Sequence, residues 1–282
     1  LCNALEPRCA VYFSSASSGL RVLLRPALLQ QLRADHEAAA ALCRKMGTSC
    51  KELREAKQVE WMGKGLSAAD LTTLGKLGSV LPALQMLTIA ELPGAAGPDG
   101  VERLTEGLGA GALPAVRVLV FGSVHVGDAG AEAFATALGR GALPRLEGLF
   151  LISVAIGDAA LVALAPALRR RPALVYLDLR KNPLGDEGLA ALVAPPPPPA
   201  GALPPPTGGL KKLKTLYLSH TQVSDAGCAA LASALDSGAL PALDKLLLDD
   251  IPASDAAKES VQAALARSRA RSFLGQDAAL PS

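Results

Sequence analysis

Aromatic residues make up only 3% of the 282-residue chain, and that shortage closes off several functions at once. Single-stranded nucleic acid is held largely by bases stacked on aromatic rings, and a net charge of +2 creates no strong field toward phosphate. Nucleic acid is therefore not an expected partner. The residues of catalysis are sparse too. His36, His125 and His220 stand in unrelated contexts, and none belongs to an H-E-x-x-H. Neither G-x-x-x-x-G-K-[ST] nor G-x-S-x-G occurs, so the chain is expected to be no enzyme, with no cofactor and no metal. A bilayer takes ~18 consecutive apolar residues to cross. The longest uncharged stretch, Gly188 to Leu210, is full of proline, so no membrane is expected either.

Cysteine is uncommon as well. Cys2, Cys9, Cys43, Cys50 and Cys228 are odd in number, and the two N-terminal pairs are each seven apart, wider than a zinc site uses. Free buried thiols in a reducing compartment, cytoplasm or nucleus, are the reading of that pattern. The chain opens on Leu1 rather than Met, which is compatible with a fragment whose targeting signal lies upstream.

What the sequence has is aliphatic and periodic. Hydrophobic residues are 50% and charged residues 19%, which predicts an ordered core of Leu, Val and Ala. Asp70, Asp99, Asp128, Asp158, Asp186, Asp225 and Asp255 recur at intervals of 29, 29, 30, 28, 39 and 30 residues. Most open phrases such as Gly185-Asp186-Glu187-Gly188 that lead into Ala/Leu-rich stretches. Carboxylates in series could serve metal or acid–base chemistry. An acid in the first turn of a helix also caps free N–H groups and suits the helix dipole, and capping is the reading taken here. Before each helix runs L-P-x-L-x-x-L-x-L, as in Leu143-Pro144-Arg145-Leu146, Leu149 and Leu151. Its alternation predicts a short strand. A strand and a helix every ~30 residues cannot bury their own apolar faces, so neighbours must stack into a parallel sheet backed by helices.

These units resemble leucine-rich repeats of the ribonuclease-inhibitor type, strongly from Leu81 to about Ala266 and weakly from Leu53 to Val80, where Trp61 stands near the strand. The resemblance implies an α/β solenoid with a curved parallel sheet on the concave side and helices on the convex side. It says nothing of the partner. The Asn usual three residues past the last strand leucine survives only as Asn182, with Leu92, Val124, Val154, Thr221 and Ile251 in the other slots. An incomplete hydrogen-bond ladder is expected there. The domain plan is a helical segment at 1–50, a degenerate first repeat or cap at 51–80, the array at 81–270 and a tail at 271–282. A proline-rich insert at 194–209 interrupts the array. Its Pro195–Pro199 run suits polyproline II readers such as SH3 or WW modules, and equally a variable surface loop.

Leu5-Glu6-Pro7, then Phe13-Ser14, then Ser17-Ser18-Gly19-Leu20-Arg21-Val22-Leu23-Leu24 resemble the C-terminal half of an F-box, with Leu20 where that family often has Trp. An ordinary helical cap on the first unit fits the same residues. Function follows as a scaffold that binds another protein. The alternatives are a substrate receptor of a ubiquitin ligase and, as some relatives of this repeat class act, a GTPase-activating protein. Alternation places Val118, Val120, Phe150, Ile152, Tyr176, Asp178, Arg180 and Tyr217 on the concave face, an apolar centre with a charged flank. These eight are the expected partner-binding residues.

Overall fold

The structure, a computed structural model, describes residues 26–92, 99–193 and 210–277, with backbone alone for 26–29 and 272–277. The F-box-like stretch and the proline-rich insert lie outside the described residues. Helices α1 (Pro26–Met46) and α2 (Cys50–Glu55) precede a strict alternation. Its strands are β1 (Gln58–Met62), β2 (Met86–Ala90), β3 (Val118–Gly122), β4 (Gly148–Ile152), β5 (Tyr176–Asp178), β6 (Thr215–Tyr217) and β7 (Lys245–Leu247). Its helices are α3 (Ala68–Leu77), α4 (Gly100–Glu106), α5 (Gly127–Gly139), α6 (Asp158–Arg169), α7 (Asp186–Val193), α8 (Asp225–Asp236) and α9 (Asp255–Asp277). The seven strands are parallel and paired in chain order, and from α3 to α9 each helix packs on the next.

Alternation along each strand decides which face the helices cover. In β2 the burial runs half-buried, buried, half-buried, buried, half-buried, so Leu87 and Ile89 enter the core and Met86, Thr88 and Ala90 do not. Leu149, Leu177 and Leu216 pair across β4, β5 and β6 and are each 0% exposed, as the leucine spacing predicts. In every unit but that of β2, the chain turns in the left-handed region two residues past the second core position, at Gly63, Ser123, Ser153, Lys181, His220 and Asp250. That turn ends the pleat at the same place in six units.

The aspartates act differently from the simple helix capping that their spacing suggests. Asp70 does cap its own helix, in a box with Ser67. From α6 onward the carboxylate reaches the next unit. Asp158 Oδ1 accepts the N–H groups of Gly185 and Gly188 at 2.7 and 2.9 Å. Asp186 Oδ1 accepts the Ser224 N–H at 2.8 Å, and Asp225 Oδ1 accepts the Ser254 N–H at 2.6 Å. Helices lying side by side put one first turn against the next N-terminus, where free N–H groups point outward. Arginines tie the other ends. Arg171 donates to Leu138 O and Leu143 O, Arg169 to Ala191 O, and Arg271 to Leu235 O. Held by Arg271, and by Arg267 on Asp236 at 2.7 Å, α9 runs past 270 to Asp277.

The bridging carboxylates explain two glycines. A Cβ on Gly227 would meet Asp186 Oδ1 at 2.3 Å, and one on Gly188 would meet Asp158 Oδ1 at 2.7 Å. In the unit after the exposed Asp128, the same position carries Ala160. Gly227→Ala is expected to destabilise by about 1–3 kcal/mol through overpacking. Gly139→Ala, with nothing within 4 Å of the added carbon, is expected to be neutral or to stabilise by up to ~1 kcal/mol. Thermal melts of the two variants check this, and equal shifts would sink it.

Among the described residues, buried Asn182 and Glu91 hold the polar ladder between units. Asn182 is buried, its Oδ1 accepting the Val154 and Ile156 N–H groups and its Nδ2 donating to Leu151 O, Leu179 O and Arg180 O. Glu91 does the same work for the first unit, accepting the Lys64, Gly65 and Leu66 N–H groups at 3.2, 2.9 and 3.0 Å. The slot reading therefore needs correcting at Leu92, which is 75% exposed while Glu91 beside it turns inward. A longer acidic side chain one residue early reaches the same amides. At Thr221 the hydroxyl closes locally, donating to Leu218 O at 2.7 Å.

Candidate functional site: the helix-free face of the sheet

The face opposite the helices is built from the alternate residues of each strand. Register sets Thr88, Val120, Phe150, Asp178, Tyr217 and Leu247 in one row. Beside it run Met86, Val118, Gly148, Tyr176, Thr215 and Lys245. Gly148 leaves a gap in that second row, and Phe150 fills it. A Cβ on Gly148 would meet Phe150 Cε2 at 3.1 Å, Val118 Cγ2 at 3.6 Å and Tyr176 Cβ at 3.8 Å. Val118, Phe150 and Tyr176 thus share one patch although Val118 and Tyr176 are two strands apart. Val120 pairs with Phe150 and Ile152 with Gly122. Tyr176 is 47% exposed, and Val118, Val120, Phe150 and Ile152 are half-buried.

Asp178 departs from the expected exposed flank. It is 0% exposed, because Arg180, two residues on and therefore on the same side of the sheet, folds back over it. The guanidinium meets both carboxylate oxygens, Nε at 2.9 and 3.0 Å and Nη2 at 2.6 Å. Hydrogen bonding to Asp178 raises the Arg180 pKa above its ordinary value. The same guanidinium stands 5.0 Å from the Tyr217 ring centroid, with Lys245 Nζ at 5.4 Å. A carboxylate, a planar cation and an aromatic ring are locked in one stack.

Beyond this stack the sheet rim holds a depression lined by Ile152, Arg180, Lys181, Ser219, His220, Leu247, Asp249 and Asp250. Ser219 Oγ donates to Asp249 Oδ2 at 3.2 Å, and His220 Nε2 lies 3.4 Å from Asp250 Oδ2. Lys181, His220 and Asp250 are absent from the alternating rows, because they occupy the left-handed turn where the pleat stops. Their signal was there to read: each stands two residues after a second strand leucine. Among the described residues no group of three or more His, Cys, Asp or Glu is placed to hold a metal. No described helix is long and apolar enough to cross a membrane.

A family model described as "Leucine Rich repeat" matches residues 172–193 and 209–232, the units of β5 with α7 and β6 with α8. No curated protein matches the sequence. Among solved structures, the chain is similar to leiomodin-1 actin-binding site 2, at 14% identity over 75% of this chain and 97% of that one, with a TM-score of 0.41. It is also similar to a Bacteroides fragilis protein, at 15% identity over 76% and 65% of the two chains, with a TM-score of 0.40. An internalin from Listeria monocytogenes gives 15% identity over 79% and 61%, with a TM-score of 0.36. On the two matched repeats and the seven-stranded parallel sheet alternating with helices, the fold is a leucine-rich-repeat solenoid.

Proposed function

We propose that this chain is a non-catalytic scaffold that binds another protein on the concave, helix-free face of its sheet. The observation that carries this reading is the patch of Val118, Val120, Phe150, Ile152 and Tyr176, apolar and contiguous, beside the preformed Asp178–Arg180–Tyr217 stack. A contiguous apolar surface on a monomer usually marks a contact site, and aromatic and arginine side chains dominate binding energy. The repeats carry a helix in every unit, which supports placing them with the ribonuclease-inhibitor type.

Changing Phe150 and Tyr176 together to Ala should leave the thermal melt near that of the parent, since neither side chain enters the buried core. It should weaken capture of the partner about 10-fold or more, the effect of losing hot-spot aromatics. Equal capture by parent and double variant would remove the patch from the site.

A further inference from the structure

Charge changes sign along the rim of the sheet. Backbone hydrogen bonds carry the strand register past β4 to β7: the Ser153 N–H donates to Arg180 O at 3.1 Å, the Lys181 N–H to Ser219 O at 3.1 Å and the His220 N–H to Asp249 O at 2.9 Å. Ile152, Arg180, Ser219 and Asp249 therefore form a third outward row. The left-handed turn just beyond it carries Ser153, Lys181, His220 and Asp250 in the same order. Both rows run from a cation at β5, through a hydroxyl or an imidazole at β6, to a carboxylate at β7. Together they wall the rim depression, about 500 Å³ in volume, with Ile152 and Leu247 as its apolar lining.

Arg180 is committed to Asp178, which leaves Lys181 as the open charge at β5. At β7 His220 faces Asp250, and the Asp249 carboxylate accepts only the Ser219 hydroxyl. Among the described residues neither Lys181 nor Asp249 takes part in an ion pair, and both are exposed. Lys245 stands over Tyr217 four residues before Asp249, about 13 Å back along the strand, and leaves that end of β7 acidic. With strands ~4.8 Å apart, the cation and the carboxylate are about 10 Å from each other across the sheet. Ile152 also belongs to the apolar patch, so the depression opens onto it from the β7 side.

We propose that the protein segment seated on this face lies across the strands with its charges in a fixed order. Apolar residues cover Phe150 and Ile152, an acidic side chain meets Lys181, and a basic side chain meets Asp249. This order rests on the concave-face reading and adds to it the chemistry of the partner. Side chains three apart on a polyproline-II segment face the same way at about 9 Å, and those seven apart on an α-helix at about 10.5 Å. Either spacing spans the two charges. Exchanging acid and base sets like charges against each other at both ends, so the rim fixes register and direction more than it adds affinity. A uniformly anionic chain is refused for the same reason, since it would run onto Asp249 and Asp250.

The test pans the full chain against phage-displayed random peptides at low ionic strength, then measures the selected sequences as synthetic peptides by fluorescence anisotropy. The selected peptides should share apolar residues followed, in either chain direction, by an acid and then a base three or seven positions on. Lys181→Glu and Asp249→Lys should each weaken them about 5-fold or more, and Lys181→Met and Asp249→Asn by less. The exchange variant Lys181→Glu/Asp249→Lys should instead prefer a peptide with acid and base exchanged. Both positions are exposed, and melts near that of the parent check that the variants fold. Peptides that need Phe150 and Tyr176 but bind every charge variant alike would overturn the charge order and leave the concave-face reading standing. An empty selection, or peptides indifferent to Phe150 and Tyr176 as well, would remove both. A chain that sediments as a dimer held by Lys181 and Asp249 would give the face to a second copy and overturn the order proposed here.

Discussion

Leu177→Asp should abolish cooperative folding of the array. Leu177 is 0% exposed and pairs in register with Leu149 and Leu216, so its replacement sits between two core leucines. Losing its burial costs about 1.5–3 kcal/mol. An unpaired carboxylate in that place costs several kcal/mol more, or takes up a proton and remains an unsatisfied polar group. Together these rival the ~5–15 kcal/mol that holds a typical domain. Because each unit buries its neighbours, the damage should spread along the stack rather than stay in one repeat. The measurement is a far-UV circular dichroism melt beside Leu177→Ala, for which a loss of about 2–5 kcal/mol with the fold retained is expected. A Leu177→Asp chain that melts like the parent would contradict the core assignment.

Asn182→Leu should be nearly as costly, although it adds apolar volume to a buried site. The amide satisfies two N–H groups of the preceding turn, Val154 and Ile156, and reaches Leu151 O in that unit and Leu179 O in its own. Each buried group left without a partner costs about 1–3 kcal/mol, so the expected loss is about 3–5 kcal/mol. In the unit before, the matching slot is held by the apolar Val154, and there the Val126 and Gly127 N–H groups donate directly to Val154 O. Amide hydrogen exchange at Val154 and Ile156 checks the mechanism as well as the sum. Both amides should exchange faster in Asn182→Leu at a temperature where it stays folded. Unchanged protection would mean that the side chain is not their partner.

Much of the fold was legible because it follows from spacing alone. Period-two leucines separated by about 30 residues can only stack, and the observed register aligns Leu87, Leu119, Leu149, Leu177, Leu216 and Leu246 across the sheet. The outward rows were legible for the same reason. Interactions made between units were not. That Asp158 and Asp186 cap the following helix depends on how closely two helices lie, and a single repeat carries no sign of it. The glycine two residues after Asp186 or Asp225 is the trace it leaves, since the carboxylate of the unit before occupies the place of a side chain. Burial of Asp178 was hidden for a related reason: a charged residue at an outward position reads as exposed until Arg180 is seen to cover it. Glu91 was missed because it serves the ladder from one residue before the usual slot.

On the proposed function, the partner sits on the sheet and not on the helices. Hydroxyl-radical footprinting of the chain alone and of the complex captured with its partner tests that most directly. Tyr176, Phe150 and Met86 react readily and lie on the sheet face, while Val162, 40% exposed on α6, reports on the helical side. Labelling of Tyr176, Phe150 and Met86 should fall several-fold in the complex, with Val162 labelled as before. Protection of Val162 with Tyr176 and Phe150 still fully labelled would place the partner on the helices and contradict it.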